Sequence, residues 1–323
     1  MVARVRVLAA PFIRHEPEAG EPLREAGVDL VHGPDSQLCT PCDVIAALEG
    51  CTGVIASMEP YTEEVFASLP QLKTIARWGV GYDAIDLEAA TAAGVVVTNT
   101  PGMVTESVAD QTFCLILALA RRLPEQISVA LSCAWCHVEG TEVWRKTIGI
   151  IGFGSIGQAV ARRAHGFSMR VLAHDPYAEP SHAGRLEVSL VSLEELVAES
   201  DIITLHASLT PETHEMIGER ELRAMKPTAF LINCGRGALV DQDALAHALE
   251  NESIAGAALD AIITEPPDAD DPILQAPNTI FTPHNSSMTA ESAARVNAMV
   301  CENLLAALQG QRPRWLVNAE VLD

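Results

Sequence analysis

Three segments in the second half of the chain each place one chemically active side chain among small or rigid neighbours. Arg236 lies in NCGRG, Glu265 in DAIITEPP and His284 in PHN. A guanidinium binds a carboxylate through paired hydrogen bonds, an imidazole transfers protons near neutral pH, and a carboxylate can hold the imidazolium. Each residue taken alone also has an ordinary structural explanation. Together they predict proton transfer on a substrate that carries a carboxylate.

A glycine-rich segment, GFGSIG, follows an apolar run and carries Gly152, Gly154 and Gly157. The first glycine permits a tight turn, the second lets the backbone approach a pyrophosphate, and the third lets a helix pack on the strand. That helix begins near Ser155 and Ile156, and its free N–H groups would face the phosphates. Because the segment joins a predicted strand to a predicted helix, it indicates dinucleotide binding rather than an ordinary glycine turn.

Asp175 ends the next predicted strand, 18 residues after Gly157. A carboxylate at this position can accept hydrogen bonds from both ribose hydroxyls of NAD, and it repels the 2′-phosphate of NADP. The residues that follow, Pro176 and Tyr177, include no arginine that could offset a phosphate. The sequence therefore predicts NAD as the cofactor.

Two C-x-x-C pairs raise the question of metal or haem binding. One pair, Cys133 and Cys136, is followed by His137, a pattern typical of haem attachment. With Cys39 and Cys42 it could supply four thiolates for zinc, but the pairs are about 90 residues apart, far beyond the usual spacing. We therefore expect free thiols, with neither a metal nor haem.

The elements that must position these residues follow from an alternation of short apolar runs and helical stretches. In the first third, strands are predicted at 4–9, 53–57, 73–77 and 95–98, and helices at 16–26, 43–50, 62–69 and 86–93. A long apolar helix is predicted over 105–122, with Thr105 as its N-cap and Pro124 ending it. This alternation predicts βαβ units and a parallel sheet.

A second alternation begins at residue 147 and contains the active segments. Strands are predicted at 147–151, 169–174, 202–206, 229–233, 255–259 and 279–282, and helices at 156–166, 192–199, 219–225, 241–250 and 289–309. Arg236, Glu265 and His284 each follow one of these strands. Open parallel sheets bind ligands at the carboxyl ends of their strands, so the three are expected at one site.

Composition limits the class of protein. A chain of 323 residues, 48% hydrophobic and 20% charged, is long enough for two globular domains. A net charge of -22 with no basic cluster argues against nucleic-acid binding. No run approaches the roughly 20 apolar residues of a membrane span, and the first residues do not have the pattern of a signal peptide. We expect a cytoplasmic protein with no membrane partner.

The motifs, in this order, resemble the D-isomer-specific 2-hydroxyacid dehydrogenase family over nearly the whole chain. ARWGVGYDAIDLEAAT is similar to the family's substrate loop and NTPGMVTESVAD to its domain crossover; GIIGFGSIG, NCGRGALVDQDAL, GAALDAIITEPP and TPH follow. Within the family, the chain looks most similar to short-type D-3-phosphoglycerate dehydrogenases. The resemblance implies an α/β fold of two Rossmann-like, flavodoxin-like domains with parallel sheets. Residues 1–98 and 287–323 would form the substrate-binding (catalytic) domain, with the NAD domain, 99–286, inserted.

The resemblance also implies an NAD-dependent enzyme that interconverts a D-2-hydroxy acid and its 2-oxo acid. Arg236 would bind the substrate's carboxylate and carbonyl, His284 would exchange the proton, and Glu265 would tune His284. In the cofactor site, Asp260 would contact the nicotinamide carboxamide, and Cys234 would be a neighbour of the cofactor.

The substrate domain would add further contacts. Backbone N–H groups of Val80 and Gly81 would hold the carboxylate, and Arg77 could supply another cation. Closure of the cleft between the domains would exclude water. Trp135 would pack at the interface of a homodimer.

The substrate itself stays open at this point. Where phosphoglycerate enzymes commonly carry an arginine near residue 56, this chain has Ala56-Ser57-Met58-Glu59. The first candidate is 3-phosphoglycerate; the second is glyoxylate, hydroxypyruvate or another 2-oxo acid. An NAD-sensing, corepressor-like protein and a phosphite- or formate-oxidising relative are the remaining alternatives.

Overall fold

The computed structural model of the chain describes residues 2–34 and 38–322. The chain divides into two compact units. Met1–Val104 and Met288–Asp323 form the first, here called the terminal unit, and Thr105–Ser287 form the second, the central unit. The functional names expected for the two domains remain a prediction.

Both units alternate strands with helices. The strands are β1 (Arg4–Val7), β2 (Asp29–His32), β3 (Gly53–Ala56), β4 (Thr74–Arg77), β5 (Val96–Thr98), β6 (Thr147–Ile151), β7 (Arg170–His174), β8 (Ser189–Leu190), β9 (Ile202–Leu205), β10 (Phe230–Asn233), β11 (Gly256–Leu259) and β12 (Thr279–Phe281). The α-helices are α1 (Ala10–Arg14), α2 (Glu16–Ala19), α3 (Glu21–Glu25), α4 (Pro41–Leu48), α5 (Glu63–Ser68), α6 (Leu87–Ala92), α7 (Thr105–Ala120), α8 (Leu123–Leu131), α9 (Ser155–Gly166), α10 (Pro180–Arg185), α11 (Leu193–Glu199), α12 (Glu219–Ala224), α13 (Gln242–Glu250) and α14 (Ala290–Leu308).

The terminal unit contains a five-stranded sheet in the order β2-β1-β3-β4-β5, and every pairing is parallel. All residues of β3 and β4 are buried, as expected for central strands covered on both faces. The last helix, α14, packs on these central strands. A hydrogen bond of 2.7 Å from Trp78 Nε1 to Asn297 Oδ1 ties α14 to the end of β4.

The central unit contains a seven-stranded parallel sheet in the order β12-β11-β10-β9-β6-β7-β8. The chain reverses direction across the sheet between β6 and β9, which is the arrangement of a doubly wound dinucleotide-binding fold. Helix α7 packs against α9 and the strands β10 and β11, so its long apolar sequence is explained by burial. The predicted α/β class with two parallel sheets is confirmed.

Some local predictions were wrong. Pro124 does not end the long helix: α7 ends at Ala120, and Pro124 lies in the first turn of α8, where a missing N–H costs nothing. The predicted helix 16–26 is divided into α2 and α3, and β2, β8 and α10 were not predicted. Among the residues that the structure describes, no helix is long and apolar enough to cross a membrane.

Candidate active site

The central sheet brings the three chemically active segments to one edge. Arg236 follows β10, Glu265 lies in the loop after β11, and His284 follows β12. These strands are adjacent in the order β12-β11-β10 and run parallel. The expectation of neighbouring loops therefore agrees with the sheet topology.

Glu265 and His284 form the central pair of this edge. Glu265 Oε2 lies 2.8 Å from His284 Nδ1, and both side chains are about one third exposed, at 34% and 32%. Because a carboxylate accepts, Nδ1 carries the proton of this hydrogen bond and Nε2 remains for chemistry. His284 has a φ of 49°, in the left-handed region that a non-glycine residue adopts at a cost, often at functional sites.

The loop of Arg236 is fixed by its own neighbours. Asn233 Nδ2 donates to the Arg236 carbonyl at 2.8 Å, and Asn233 Oδ1 accepts from the Gly235 amide at 3.0 Å. A Cβ on Gly237 would lie 2.0 Å from the carbonyl carbon of Ile262. The turn that carries Arg236 therefore contacts the loop that carries Glu265, and only glycine permits this approach.

Asp260 has a role in the structure that the sequence did not reveal. Its carboxylate, 2% exposed, accepts hydrogen bonds from the Asn285 amide and the Ser286 amide, both at 2.8 Å, and from the hydroxyls of Thr282 and Ser286. A carboxylate has about four acceptor positions, so these donors saturate it. Asp260 thus holds the segment on which His284 lies. The run of polar residues after His284, Asn285-Ser286-Ser287, was the available signal.

The glycine segment fits a bound dinucleotide. Gly152 has a φ of 87°, and a Cβ there would lie 2.5 Å from the Ala207 nitrogen. A Cβ on Gly157 would lie 2.2 Å from the Gly152 carbonyl oxygen, whereas a Cβ on Gly154 would meet nothing within 4 Å. The outer glycines are required by close packing, and the middle glycine faces open space at the start of α9. This is the division of roles that a pyrophosphate site needs.

Asp175 lies at the end of β7, next to the glycine segment. Its Oδ2 accepts from the Phe153 amide and its Oδ1 from the Tyr177 amide, each at 2.8 Å. The carboxylate therefore sits where the strand order predicts the adenosine ribose. Farther along the sheet, burial raises the pKa of Cys234 to about 11, so this thiol stays protonated at neutral pH.

The candidate residues of the terminal unit lie at the carboxyl end of β4. The Arg77 guanidinium donates to the Trp78 carbonyl and to the Met58 sulfur, and the residue is 9% exposed. It therefore lies beneath the turn that carries Val80 and Gly81. Burial raises the pKa of the nearby Glu59 carboxyl, although the Ser57 amide and the charge of Arg77 oppose this shift.

The cysteine pairs are not connected to this chemistry. All eight cysteines lie in the described part of the chain, and none forms a disulfide. Cys39, Cys42, Cys133 and Cys136 are exposed. Within residues 2–34 and 38–322, no group of three or more His, Cys, Asp or Glu side chains could hold a metal ion.

The fold and the cofactor loop define an NAD-dependent oxidoreductase of the doubly wound class. A model of the "D-isomer specific 2-hydroxyacid dehydrogenase, NAD binding domain" matches residues 113–286. The chain belongs to the D-isomer-specific 2-hydroxyacid dehydrogenase family, and the prediction of an NAD-dependent enzyme is confirmed.

Known relatives cover almost the whole chain. It is 42% identical over 319 residues to a glyoxylate reductase of Korarchaeum cryptofilum, with 96% of each protein covered. A crystal structure of Aquifex aeolicus D-lactate dehydrogenase with NAD and lactic acid is 29% identical in sequence and superimposes with a TM-score of 0.85. The match covers 98% of this chain and 99% of that chain. A Thermus thermophilus protein of known crystal structure shares 37% identity, with a TM-score of 0.85 and coverage of 97% and 99%. The expected closeness to phosphoglycerate dehydrogenases is not confirmed, because curated relatives such as those of Korarchaeum cryptofilum and Thermococcus litoralis are named glyoxylate reductases.

Proposed function

We propose that the protein reduces a small, unphosphorylated 2-oxo acid, glyoxylate or hydroxypyruvate, with NADH. The observation that carries the proposal is the 2.8 Å pair of Glu265 and His284, on the strand ends beside the Arg236 loop. The names of the relatives, which include a glyoxylate/hydroxypyruvate reductase B of Pectobacterium atrosepticum that is 40% identical over 282 residues, support this substrate class.

In this proposal each residue has one task. Arg236 binds the substrate's carboxylate through its planar guanidinium and orients the carbonyl. His284 Nε2 gives a proton to the carbonyl oxygen, and Glu265 stabilises the imidazole from the other side. Bound NADH supplies the hydride for the carbonyl carbon. Asp175 and the glycine segment Gly152–Gly157 hold the cofactor.

The terminal unit would complete the substrate site. Backbone N–H groups of Val80 and Gly81 would bind the carboxylate, in the way that other anion sites use backbone donors. Arg77 would act from beneath this turn, since its guanidinium already bonds the Trp78 carbonyl. The loop Ser57-Met58-Glu59 offers no arginine, so a phosphorylated substrate would lack a cationic partner there.

We also propose a homodimer formed through α8. Its Leu123, Ile127 and Leu131 lie four residues apart and are 45%, 50% and 81% exposed. Trp135, in the segment that follows, is 85% exposed. Such a stripe of large apolar side chains on one helix face is typical of an interaction surface.

The test is a panel of 2-oxo acids assayed by NADH oxidation. We expect kcat/KM for glyoxylate or hydroxypyruvate to exceed that for 3-phosphohydroxypyruvate by at least about tenfold, because of the missing phosphate partner. Arg236→Ala should lower turnover by about 100-fold while NADH binding, measured by fluorescence, is retained. Arg223→Ala, which removes an exposed arginine of α12, is the matched control. Turnover of the phosphorylated acid alone would contradict the proposal.

A further inference from the structure

We propose that Gln242 is a positioning residue that holds the Glu265 turn in place, and thereby keeps Glu265 on His284. This inference rests on the proposed function of the pair. Gln242 is the first residue of α13, and its amide joins the loop after β11 to a carboxylate farther along the chain.

Both ends of the Gln242 amide are engaged. Its Oε1 accepts from the Ile263 amide at 3.1 Å. Its Nε2 donates to Asp271 Oδ2 at 2.9 Å and to Oδ1 at 3.2 Å. The partners fix the orientation of this amide, because a flip would point the NH₂ group at an N–H and the oxygen at a carboxylate.

The groups that anchor Gln242 are themselves held by regular structure. Asp241 caps α13 by accepting from the Ala244 amide at 3.0 Å. Asp271 caps the short 3-10 helix Pro272–Gln275 by accepting from the Ile273 amide at 3.1 Å. The amide of Gln242 therefore acts as a rigid bridge rather than as a mobile surface side chain.

The turn that Gln242 contacts packs on Gly237 through Ile262, but the residues after Ile262 gain little from apolar burial. Ile263 is 50% exposed and Thr264 is also exposed, so apolar burial does not hold these residues. Glu265 Oε1 accepts from the Ile262 amide at 3.2 Å, a hydrogen bond within the turn itself, while Oε2 faces His284. A shift of the Ile263 backbone would therefore move the carboxylate away from the imidazole.

A neutral side chain is required at this position. The surface around Gln242 carries the carboxylates of Glu215, Asp241, Asp243, Asp268 and Asp270, besides Asp271. A glutamate in place of Gln242 would oppose Asp271, although it could still accept from the Ile263 amide. Gln242→Glu thus keeps an acceptor for the Ile263 amide but removes the donor to Asp271.

The first test compares Gln242→Met with Gln275→Met, an exposed glutamine of the neighbouring 3-10 helix. We expect Gln242→Met to lower kcat about tenfold or more, because small displacements of catalytic groups are costly, with the Kd for NADH within about twofold. Gln275→Met should leave both unchanged. Gln242→Glu should lower kcat in the same way. An equal loss of NADH binding, or wild-type kcat in Gln242→Met, would overturn the inference.

The second test asks whether Gln242 acts through Glu265. In a Glu265→Gln background, Gln242→Met should lower kcat by less than about twofold, since coupled residues are not additive. The same fold loss in both backgrounds would contradict the proposal.

A third readout does not need turnover. The proton NMR resonance of His284 Nδ1–H, assigned by its loss in His284→Gln, should shift or broaden in Gln242→Met and stay in place in Gln275→Met. An unchanged resonance would overturn the positioning role. The result is informative even if the wild-type enzyme reduces neither glyoxylate nor hydroxypyruvate, so that failure of the proposed function is distinguished from failure of this inference.

Discussion

At the scale of single residues, the donors around a carboxylate decide what it can do. Glu265 has one oxygen on a backbone amide and the other on His284, so it can stabilise a protonated imidazole. Asp260 is saturated by four donors and serves the backbone instead. Glu59 is buried, and burial raises its pKa. The two carboxylates that follow β11, Asp260 and Glu265, thus have different tasks.

Asp260→Asn should lower kcat by about tenfold or more. An asparagine would turn an NH₂ group toward donors such as the Ser286 amide and hydroxyl, so the segment that carries His284 would rearrange. Steady-state kinetics and NADH titration separate this effect from a cofactor contact. A rise in the NADH Kd that accounts for the whole loss would instead support a contact with the nicotinamide. Asp270→Asn, on the exposed surface, is the control.

Asp175→Ala should relax the preference for NADH. Removal of the carboxylate would remove the repulsion of a 2′-phosphate and the hydrogen bonds to the ribose that we propose for Asp175. We expect the ratio of kcat/KM for NADPH to that for NADH to rise by about tenfold or more. Glu179→Ala, an exposed acid a few residues along the chain, should not change the ratio. An unchanged ratio in Asp175→Ala would place the ribose elsewhere.

At the scale of elements, the contact between β6 and α9 depends on the absence of a side chain. Gly157→Ala would place a Cβ 2.2 Å from the Gly152 carbonyl oxygen, so the helix must move away from the strand. We expect a loss of about 1–3 kcal/mol in unfolding free energy and weaker NADH binding. Gly166→Ala, in the same helix with open space at its Cβ, should be neutral or slightly stabilising. Equal stability of the two variants would refute the packing argument.

The end of β9 makes stability depend on pH. Burial lowers the pKa of His206 from 6.5 to about 3, while Nε2 lies 2.9 Å from the Thr204 hydroxyl. As the pH falls below 6.5, His206 therefore binds a proton in the unfolded chain but stays neutral in the folded chain. The contribution of His206 to the free energy of unfolding is complete above pH 6.5 and is lost progressively as the pH falls toward 3.

Between pH 7 and 5, the wild type should lose about 2 kcal/mol more unfolding free energy than His206→Gln. Urea denaturation at the two pH values measures this difference. His137→Gln, which removes an exposed histidine, should follow the wild type. Parallel curves for the wild type and His206→Gln would show that His206 is not held neutral.

At the scale of the whole molecule, the apolar face of α8 is the surface through which we propose that two copies associate. Ile127→Glu with Leu131→Glu should convert the proposed dimer to monomer, because each charge would be buried at the interface. Analytical ultracentrifugation measures the change. Ser128→Glu, exposed on the same helix but outside the stripe, should keep the wild-type mass. A monomeric wild-type protein would rule out the dimer.

The pattern of apolar residues predicted those elements that bury a face. The strands β3, β4 and β9 are buried along their whole length and were predicted within about two residues of their ends. Helix α8 has no buried residue, β2 has none that is fully buried, and β8 is only two residues long. β2 and β8 leave no periodic signal, because periodicity records burial rather than backbone conformation. In α8 the apolar repeat at Leu123, Ile127 and Leu131 is present but lies on the surface.

The sequence by itself determined the family, the NAD cofactor and the placement of Arg236, Glu265 and His284 after neighbouring strands. These features are local: a strand, a glycine turn and the residue types that follow them. Only the tertiary structure decided that Asp260 meets donors 22 to 26 residues away and that Gln242 reaches Ile263 across 21 residues. Such partners depend on strand register and on side-chain geometry in three dimensions, and no local propensity encodes either.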